Sequence, residues 1–515
     1  MSGWEAAHGV EPRWKALDRL GTGVFDVLVI GGGIVGARVA YDASCAGLRV
    51  ALVDAGDFAG ATSGASAGLV HGGLRYLKRG DLGLVRAACR ERNLLTSRVA
   101  PHLVRPQPFV AACGGGALRN AELAAGLALY AAIGGPCWPI PRPASRRKAA
   151  TLVPPLRAGR AASVAVFYEA VVDDARLTLA TVKAAARSGA TVINHLGVRE
   201  LRVVAGGVSD ALLLEEDGEV RIKARAIVNA TGPWTDTVRR MESPLCRPVT
   251  RLSKGVHVDL DTRGAWKAGL AVFVGDGDHF YAIPRDGVLV LGTTDEEYSE
   301  DPAGVSATPR DISSLLEKAS HLLPETAGTG TVLSAFAGLR VLPRGAGGTM
   351  DAQRSHLLSV GNGGMVSVAG GKLTMHRGIS ADAIRHLPAG VRPRKLRADA
   401  TRLPGAVGNP AVSSPSAAVC RYLLGVYGAE AVRVLARSGN LPGALQPVAP
   451  GGPDLWAQVH HAVREEWAAT VEDVVRRRTT LALRGLDTPG VRAEISAALG
   501  LPDFGPLVYP VIRGR

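Results

Sequence analysis

The hydrophobic pattern near the N-terminus predicts a βαβ unit. The apolar run FDVLVI at 25–30 is followed at once by GGGIVG, then by a helical pattern, and then by a second apolar run, RVALVD, that ends at Asp54. Gly31, Gly33 and Gly36 have the GxGxxG spacing, which lets the backbone turn tightly and approach a pyrophosphate at a helix N-terminus. Asp54 stands where an acidic side chain accepts hydrogen bonds from an adenosine ribose. Strand, glycines, helix, strand and acid in this order predict a dinucleotide site.

Two later apolar runs also end in small residues. ARAIVNATGPW at 224–234 is typical of a buried strand that breaks at Thr-Gly-Pro, and MVSVAGG at 365–371 turns at two glycines into a helix predicted to begin at Lys372. Three such junctions, far apart in the chain, indicate one cofactor domain assembled from separate segments. A nicotinamide domain usually occupies one continuous stretch, and Asp54 is the wrong partner for the 2′-phosphate of NADP, so the pattern favours FAD.

The runs between these segments predict a second, antiparallel domain. Short strand patterns with turn residues between them occur at 254–260, 279–295 and 335–343. From about residue 400 the pattern becomes helical, and Thr470 and Asp473 have the spacing of a capping box. We therefore predict an α/β fold with a Rossmann-like FAD-binding domain built from discontinuous segments, an antiparallel-sheet substrate domain and a C-terminal helical domain.

The predicted domain boundaries follow these changes of pattern. The FAD-binding domain takes 20–105, 161–245 and 346–395, the substrate domain takes 246–345 with an insertion at 106–160, and the helical domain takes 400–515.

Composition and charge narrow the classes of partner. The chain has 515 residues, of which 60 are Lys or Arg and 46 are Asp or Glu, giving a net charge of +14. Such a balance suits nucleic acid, an anionic membrane surface or a phosphorylated substrate. Aromatic residues are only 5%, and no basic run is interleaved with them, so nucleic acid is not expected.

Cysteine usage and the lack of a recognisable targeting signal predict a cytoplasmic protein with at most peripheral membrane contact. The six cysteines form no CxxC pair, so neither a disulfide framework nor a metal site is expected. The N-terminus lacks the apolar core of a signal peptide, and no apolar run reaches the about 18 to 20 residues that span a bilayer. The stretch 118–143 is the best candidate for membrane contact, although a buried helix explains it as well and is favoured. The arginine run at 476–478 is interpreted as a solvated face, with lipid phosphates as the alternative partner.

A series of motifs extends from residue 25 to about residue 486. They are VIGGGIVGA, ATSGASAGLVHGGLRYL, VDDARLTLA, VNATGPW, KGVH, GTTD, GLRVLP, AGGKLT and EEWAATVEDVVRRRT. On these motifs the chain resembles the FAD-dependent glycerol-3-phosphate dehydrogenases, flavoproteins of the D-amino-acid-oxidase superfamily. The resemblance implies oxidation of sn-glycerol 3-phosphate to dihydroxyacetone phosphate, with hydride transfer to FAD. It also implies re-oxidation of the flavin by quinone or, in an oxidase branch, by oxygen.

The resemblance implies two sets of site residues. Those expected around the substrate are Arg75, Tyr76, Thr294, Arg340, Arg354 and Lys372. Those expected around FAD are Gly31, Gly33, Gly36, Asp54, Thr62, Ser63, Ser66, His71, Gly72, Gly73, Ala230, Gly232, Gly371, Lys372, Leu373 and Thr374.

The chemistry of the reaction agrees with these residue types. A phosphate dianion needs two or more cationic or fork-shaped donors, which arginines and lysines supply. A hydride leaves C2 only if the attached hydroxyl loses its proton, so a base is needed beside a group that stabilises the developing charge. His257, Arg340 and Lys372 are the catalytic candidates, and the base is left open between His257, Lys372 and a water held by an arginine.

One departure from the family pattern bears on cofactor binding. Where the family commonly has Ser-Ser-Lys before the Leu-Ile-His-Gly-Gly motif, this chain has Ser66, Ala67 and Gly68. A lysine and a hydroxyl that the resemblance places near the cofactor are therefore missing. Weaker binding of FAD is the expected consequence. The departure keeps open a non-catalytic flavin-binding relic.

Two enzymatic alternatives also stay open: an oxygen-using glycerol-3-phosphate oxidase and an amino- or hydroxy-acid oxidase of the same superfamily. The basic surface favours membrane quinone as the acceptor, with the protein on the cytoplasmic face of an anionic membrane. Assembly into a homo-oligomer is compatible with the sequence.

Overall fold

The computed structural model describes most of the chain. The described residues are 10–113, 117–135, 138–153, 163–207, 209–215, 218–261, 266–274, 278–322, 331–345, 356–396, 401–408, 416–438 and 441–503.

Helices and strands alternate through the first part of the chain, and helices follow one another towards its C-terminus. The strands are β1 Val24–Ile30, β2 Val50–Val53, β3 Leu69–Val70, β4 Arg105–Cys113, β5 Arg142–Pro143, β6 Ser163–Val171, β7 Thr191–Ile193, β8 Gly197–Arg202, β9 Ser209–Glu215, β10 Gly218–Asn229, β11 Thr250–Asp261, β12 Gly269–Val274, β13 Asp278–Arg285, β14 Val288–Gly292, β15 Glu296–Tyr298, β16 Val332–Pro343, β17 His356–Val360 and β18 Val366–Gly370. The α-helices are α1 Arg13–Thr22, α2 Ile34–Cys45, α3 Leu82–Leu94, α4 Ala117–Gly134, α5 Arg146–Ala149, α6 Asp174–Arg187, α7 Thr235–Glu242, α8 Pro309–Leu322, α9 His376–Arg385, α10 Ala417–Tyr427, α11 Ala431–Ser438, α12 Trp456–Glu465, α13 Val471–Asp473 and α14 Pro489–Leu499.

The first sheet contains the three strand-to-glycine junctions predicted from the sequence. Within the described residues its strand order is β17-β18-β10-β1-β2-β7, and β9, which pairs with β8, adds to β10. β1 pairs in parallel with β2 and β10, and β18 pairs in parallel with β10. All three junctions therefore lie at the carboxyl edge of one sheet, which confirms a cofactor domain assembled from separate segments.

The apolar run in β1 is explained by burial on both faces of this sheet. Val27 and Val29 enter one hydrophobic core, whereas Leu28 and Ile30 enter the core on the opposite face. Successive side chains on a strand face opposite sides, so a strand covered on both sides is apolar throughout instead of alternating.

The second sheet is mostly antiparallel, as predicted. Among the described residues its order is β15-β11-β14-β13-β12-β4-β6-β3, with β16 added to β11 and β5 to β6. The register of β11 with β16 sets Ser253 opposite Arg340 and His257 opposite Phe336. β6 pairs with β4 in this sheet, although the predicted boundaries assign its residues to the second FAD-binding segment. Strands of the two sheets therefore alternate along the chain at shorter intervals than the predicted domain boundaries imply.

The C-terminal part is helical, as predicted. It has two small hydrophobic cores of its own. The capping box is present at the start of α13. The backbone N–H of Asp473 donates to Thr470 Oγ1 at 3.1 Å, and the backbone N–H of Thr470 donates to Asp473 Oδ2 at 3.0 Å. The reciprocal bonds satisfy two donors that a helix start leaves without an intrahelical partner.

The stretch 118–143 forms α4 and the turn after it. Leu127 and Tyr130 are buried, whereas Leu129 is 44% exposed and Ile140 is 70% exposed. One face of α4 therefore packs on the protein and the other meets solvent. Across the described part of the chain, no helix combines the length and the apolar character that crossing a membrane requires.

Candidate active site

A cavity of about 430 Å³ lies where the carboxyl edge of the first sheet meets the second sheet. Most of the predicted site residues line it. They are Gly31, Gly33, Asp54, Thr62, Ser63, Ser66, His71, Gly73, Tyr76, Ala230, Gly232, His257, Arg340, Gly371, Lys372, Leu373 and Thr374.

The glycine loop between β1 and α2 forms one end of this cavity. Gly31 has φ +104°, and a Cβ there would lie 2.5 Å from the carbonyl oxygen of Ala230. A Cβ at Gly36 would lie 1.9 Å from the carbonyl oxygen of Gly31, so α2 packs on the loop at a distance that no side chain allows. Gly33 caps α2 and lines the cavity. These features fit a pyrophosphate held by backbone N–H groups at a helix N-terminus.

Asp54 follows β2 and lies beside this loop. Its carboxylate accepts hydrogen bonds from the backbone N–H of Gly32 at 2.5 Å and of Gly56 at 2.8 Å. Burial raises the pKa of Asp54 to about 6, although the two N–H donors oppose the shift. A half-buried carboxylate that also lines the cavity has oxygen lone pairs to offer a ribose, so this site fits the adenosine end of FAD.

The loop from Ala61 to Gly73 crosses the cavity and is tied to distant segments. Thr62 Oγ1 donates to the carbonyl oxygen of Leu339 at 2.7 Å, and Ser63 Oγ accepts from the N–H of Ile34 at 3.0 Å. The N–H of His71 donates to Thr374 Oγ1 at 3.2 Å. The loop thus joins α2, β16 and the turn after β18.

Backbone conformation explains the glycine at position 68, where the family resemblance implies a lysine. Its φ is +63°, and a Cβ there would lie 2.4 Å from the carbonyl oxygen of Val172. The missing lysine is therefore accompanied by a loop conformation that only glycine adopts without strain.

Arg340 on β16 contributes a cation to the lining of the cavity. Its guanidinium donates to Thr293 Oγ1 at 2.8 Å, to the carbonyl oxygen of Thr294 at 3.1 Å and to Ser253 Oγ at 3.3 Å. It lies across Gly255, where a Cβ would come within 2.4 Å of Nη2. Three neutral oxygens thus hold the guanidinium in place, and it forms a longer ion pair with Asp295 at 3.9 Å.

His257 on β11 lies in the cavity wall near Arg340. Its ring stacks on Phe336 with centroids 4.9 Å apart, and neither ring nitrogen has a hydrogen-bond partner among the described residues. Burial, reinforced by the charge of Arg340, lowers the pKa of His257 to about 3. Gly292 makes room for the ring, since a Cβ there would lie 2.2 Å from its Cδ2. The imidazole is therefore neutral at physiological pH.

Lys372 and Tyr76 contact each other in the lining of the cavity. The Lys372 ammonium lies 3.6 Å from the centroid of the Tyr76 ring. Tyr76 is 4% exposed, which is typical of a desolvated cation–π contact. Lys372 comes from the turn after β18 and Tyr76 from the loop after β3, so tertiary structure alone brings them together.

Five predicted site residues do not line the cavity in the described structure. Gly36 packs on the glycine loop, and Gly72 is enclosed by Cys89 and Tyr130. Thr294 is buried and accepts a hydrogen bond from the N–H of Val256 at 3.0 Å, while its neighbour Thr293 lines the cavity. Arg354 and the side chain of Arg75 lie outside the described residues. The substrate roles of Arg75, Arg354 and Thr294 stay predictions.

Two buried carboxylates in the cavity wall were not predicted. Glu169 pairs with Arg92 at 2.9 Å and accepts hydrogen bonds from Tyr130 and from the backbone N–H of Gly72. Asp174 accepts from the N–H of Ser66 at 2.9 Å, and burial raises its pKa to about 6. The available signal was the pair of acids bracketing AVVD in FYEAVVDDARL, since a charged residue inside an apolar run is rarely buried without a partner.

The arginine run at 476–478 is not a solvated face, and that interpretation was wrong for two of its members. Arg477 and Arg478 are buried and pair with Asp57, which follows β2, while Arg476 is 40% exposed at its side chain and pairs with Glu472. The residues lie in one turn of helix, so helical geometry sends neighbours in different directions. Lipid phosphates have no access to the two buried guanidinium groups.

Comparisons with known proteins agree with this geometry. Residues 26–377 match a family model described as FAD dependent oxidoreductase, and residues 396–494 match one described as the C-terminal domain of alpha-glycerophosphate oxidase. Glycerol-3-phosphate dehydrogenase 2 of Mycobacterium tuberculosis (strain H37Rv) is 35% identical over 522 residues, covering 96% of this chain and 88% of that protein. The chain belongs to the FAD-dependent glycerol-3-phosphate dehydrogenase family. Membership confirms the resemblance and the predicted cofactor.

Solved structures of this and related families support the fold. The glycerol-3-phosphate dehydrogenase of Bacillus halodurans, solved as a complex with FAD, aligns with a TM-score of 0.73 at 25% identity, covering 96% of this chain and 97% of that one. The FAD-bound L-alpha-glycerophosphate oxidase of Mycoplasma pneumoniae aligns with a TM-score of 0.59 at 18% identity, covering 74% of this chain and 100% of that one. A dehydrogenase and an oxidase thus share the fold, so the fold does not choose between acceptors.

Proposed function

We propose that this protein oxidises sn-glycerol 3-phosphate to dihydroxyacetone phosphate and passes the electrons to a membrane quinone. The observation that carries the proposal is that Tyr76, His257, Arg340 and Lys372 line the same cavity as the glycine loop. Bound FAD supplies the hydride acceptor. The glycine loop and Asp54 hold its adenosine and pyrophosphate.

The charged end of the cavity suits a phosphorylated alcohol. Arg340 presents a fork of donors held by neutral oxygens, and Lys372 adds a second positive charge over the Tyr76 ring. One bidentate arginine is enough for a carboxylate, whereas a phosphate dianion is better matched by several cations. This difference favours glycerol 3-phosphate over an amino or hydroxy acid. Arg75 and Arg354 are proposed as further cations of the same site.

His257 is the base we propose for the C2 hydroxyl. It is neutral and desolvated, and both ring nitrogens lack a partner among the described residues, so the ring has a lone pair with which to accept a proton. The charge of Arg340 contributes to the low pKa of His257. An anionic substrate paired with Arg340 offsets that charge, so substrate binding itself raises the basicity of His257.

Contact with a membrane surface is the second part of the proposal. The outer face of α4 exposes Leu129, the following turn exposes Ile140, and the basic residues Arg142, Arg147 and Lys148 come next in the chain. Exposed apolar side chains beside basic ones match the interface of a bilayer with anionic lipids, and the net charge of +14 adds long-range attraction. On this basis the protein binds the cytoplasmic face of the membrane peripherally.

Anaerobic reduction of the flavin tests the chemistry directly. Addition of glycerol 3-phosphate to the yellow holoenzyme is expected to bleach the absorbance near about 450 nm, where oxidised flavins absorb. Arg340→Ala is expected to lower the second-order rate of bleaching by about 10²- to 10⁴-fold, since it removes a desolvated charge contact worth about 3 to 5 kcal/mol. The matched control is Arg344→Ala, four residues on in the same segment, where the side chain is exposed.

Each outcome of that experiment decides between functions. A holoenzyme that stays oxidised with glycerol 3-phosphate contradicts the proposal, and bleaching by a glycine-like or 2-hydroxy acid instead identifies an acid oxidase. If nothing bleaches it, the flavin-binding relic is favoured. Oxygen uptake during turnover that matches substrate consumption identifies the oxidase branch, whereas turnover that needs a quinone analogue supports the dehydrogenase. Binding to anionic vesicles that salt abolishes supports the membrane contact, and a protein that ignores vesicles at low salt contradicts it.

A further inference from the structure

A buried ion-pair network joins the C-terminal helical domain to the loop that follows β2. Asp57, in that loop, is 1% exposed. Its carboxylate accepts from Arg477 Nε at 2.5 Å, from both terminal nitrogens of Arg478, and from Asn194 Nδ2 at 2.9 Å. Arg477 also donates to Asp473 at 2.8 Å. The loss of any one partner would leave a buried charge partly uncompensated, which is costly. The network therefore favours a single position for the Asp57 carboxylate.

The loop anchored in this way lines the cofactor end of the cavity on both sides of Asp57. Asp54, Ala55 and Gly56 line it before the anchor, and the segment 60–63 lines it afterwards. Asp57 itself does not line the cavity. The C-terminal domain therefore contacts the middle of this loop on the side that faces away from the cavity.

An apolar contact reinforces the anchor. Phe58 is fully buried and packs edge to face against Trp467 of the C-terminal domain, with ring centroids 5.6 Å apart. On its other side Phe58 presses on the glycine loop, since a Cβ at Gly32 would lie 2.3 Å from its ring. The N–H of Ala59 then donates to the carbonyl oxygen of Gly32 at 3.2 Å. A displacement of Asp57 or Phe58 is therefore expected to shift the glycine loop as well.

The C-terminal side of the contact is itself fixed. Arg478 Nη2 donates to the carbonyl oxygen of Glu466 at 2.6 Å. The Glu466 carboxylate accepts two parallel bonds from Arg176 of α6, at 2.7 and 2.8 Å. Burial alone would raise the pKa of Glu466, but the charges of Arg176 and Lys183 outweigh it and hold the pKa well below its usual range. The domain therefore presents a preorganised surface to the loop.

Packing of the protein interior alone does not require these contacts. We infer that Asp57, Arg477 and Arg478 are positioning residues for FAD, through which the C-terminal domain holds the loop 54–63 in its cofactor-binding conformation. The inference concerns cofactor retention and does not depend on the substrate or on the electron acceptor. Asp57, His195 and Asp473 lie close enough together to hold a metal ion, but Arg477 and Arg478 already occupy the two carboxylates. The cluster is an ion-pair network.

The test compares FAD affinity with turnover in the full-length protein. FAD is removed from the holoenzyme, and the apoprotein is titrated with FAD by quenching of flavin fluorescence. Asp57→Asn is expected to weaken FAD binding by about 10- to 100-fold, the range typical of residues that orient a binding shell. With FAD in excess, kcat should return to within about threefold of the parent, because no group that touches substrate has changed.

Two control variants separate positioning from general stability. Arg476→Gln alters the neighbouring arginine, which pairs with Glu472 instead of Asp57, and should bind FAD as the parent does. Ile495→Val removes one methylene from the core of the C-terminal domain, away from the network, and should lower the melting temperature without changing FAD affinity. If Ile495→Val and Asp57→Asn lose FAD equally for the same loss of melting temperature, the inference is overturned.

A milder variant keeps the test decisive if Asp57→Asn does not fold. Trp467→Leu leaves every ion pair intact, keeps an apolar side chain against the core, and removes the edge-to-face contact with Phe58. It is expected to weaken FAD binding several-fold and to be rescued by excess FAD. Unchanged FAD affinity in Trp467→Leu together with Arg477→Gln would contradict the inference.

Discussion

The two ends of the cavity are built in different ways. The adenosine end uses backbone N–H groups, glycines and one carboxylate, and its main parts come from a continuous stretch between Gly31 and Asp54. The substrate end uses long polar side chains, Tyr76, His257, Arg340 and Lys372, each from a different segment. In the proposed function, backbone geometry binds the cofactor at one end of the cavity, and polar side chains select the substrate at the other.

This difference governs how each end responds to mutation. At the adenosine end the critical feature is the space that a Cβ would fill, so the smallest substitution is already damaging. At the substrate end the critical feature is charge and proton transfer, so variants should bind FAD and fold while losing turnover.

The largest effect is expected from a single methyl group at the adenosine end. Gly36→Ala places a Cβ 1.9 Å from the carbonyl oxygen of Gly31, so α2 must move away from the loop. We expect a loss of about 3 kcal/mol or more in the free energy of unfolding, and purification without flavin absorbance. The control is Gly126→Ala in α4, where the added methyl meets nothing within 4 Å. That variant should keep FAD and gain up to about 1 kcal/mol from helix propensity.

At the substrate end, His257→Phe should separate turnover from cofactor binding. Phenylalanine keeps the stacking on Phe336 and removes both ring nitrogens. We expect kcat with glycerol 3-phosphate to fall about 10²- to 10⁴-fold, the usual contribution of a general base, with the flavin content unchanged. A fall of less than threefold would assign the base to Lys372 or to a water held by an arginine.

The pH dependence of FAD affinity should depend on Asp54 at the other end. Burial raises the pKa of this carboxyl to about 6 in the protein without cofactor, and ribose hydroxyls bind the ionised form best. FAD affinity of the apoprotein should therefore be constant above pH 6 and fall below it, by at most about tenfold per pH unit. Asp54→Asn should bind FAD more weakly and lose this slope between about pH 5 and pH 7. A parental curve that stays flat there would show that Asp54 does not titrate.

The smallest effect is expected from two neighbouring hydroxyls at the substrate end. Thr293→Val removes the oxygen that accepts from Arg340, and we expect kcat/KM to fall about five- to tenfold, equivalent to about 1 kcal/mol. Thr294→Val removes the acceptor of the Val256 N–H, so it should lower the free energy of unfolding by about 1 to 2 kcal/mol. If instead Thr294→Val raises KM and leaves stability unchanged, Thr294 contacts substrate, as the family resemblance implies.

Local features of the chain were enough to predict the cofactor domain. The three apolar runs that end in glycine, at 25–31, 224–232 and 365–371, lie side by side in one sheet as expected. The capping box at Thr470 and Asp473 was equally predictable, because both partners lie within one helical turn. In each case neighbouring residues carry the physical cause, so a linear pattern reveals it.

Contacts between distant segments followed only from the folded chain. The burial of Arg477 and Arg478 depends on Asp57, which lies more than 400 positions earlier, and nothing in the run VVRRR distinguishes the buried arginines from the exposed one. The choice of Thr293 over Thr294 as the cavity hydroxyl likewise depends on where Arg340 and Val256 lie. Chain connectivity and the burial of apolar strands determine the β-sheet core, and the sequence reveals both because periodicity records them. Which polar side chains meet across that core is set by three-dimensional packing, because an ion pair depends on distance in space and leaves no periodic pattern along the chain.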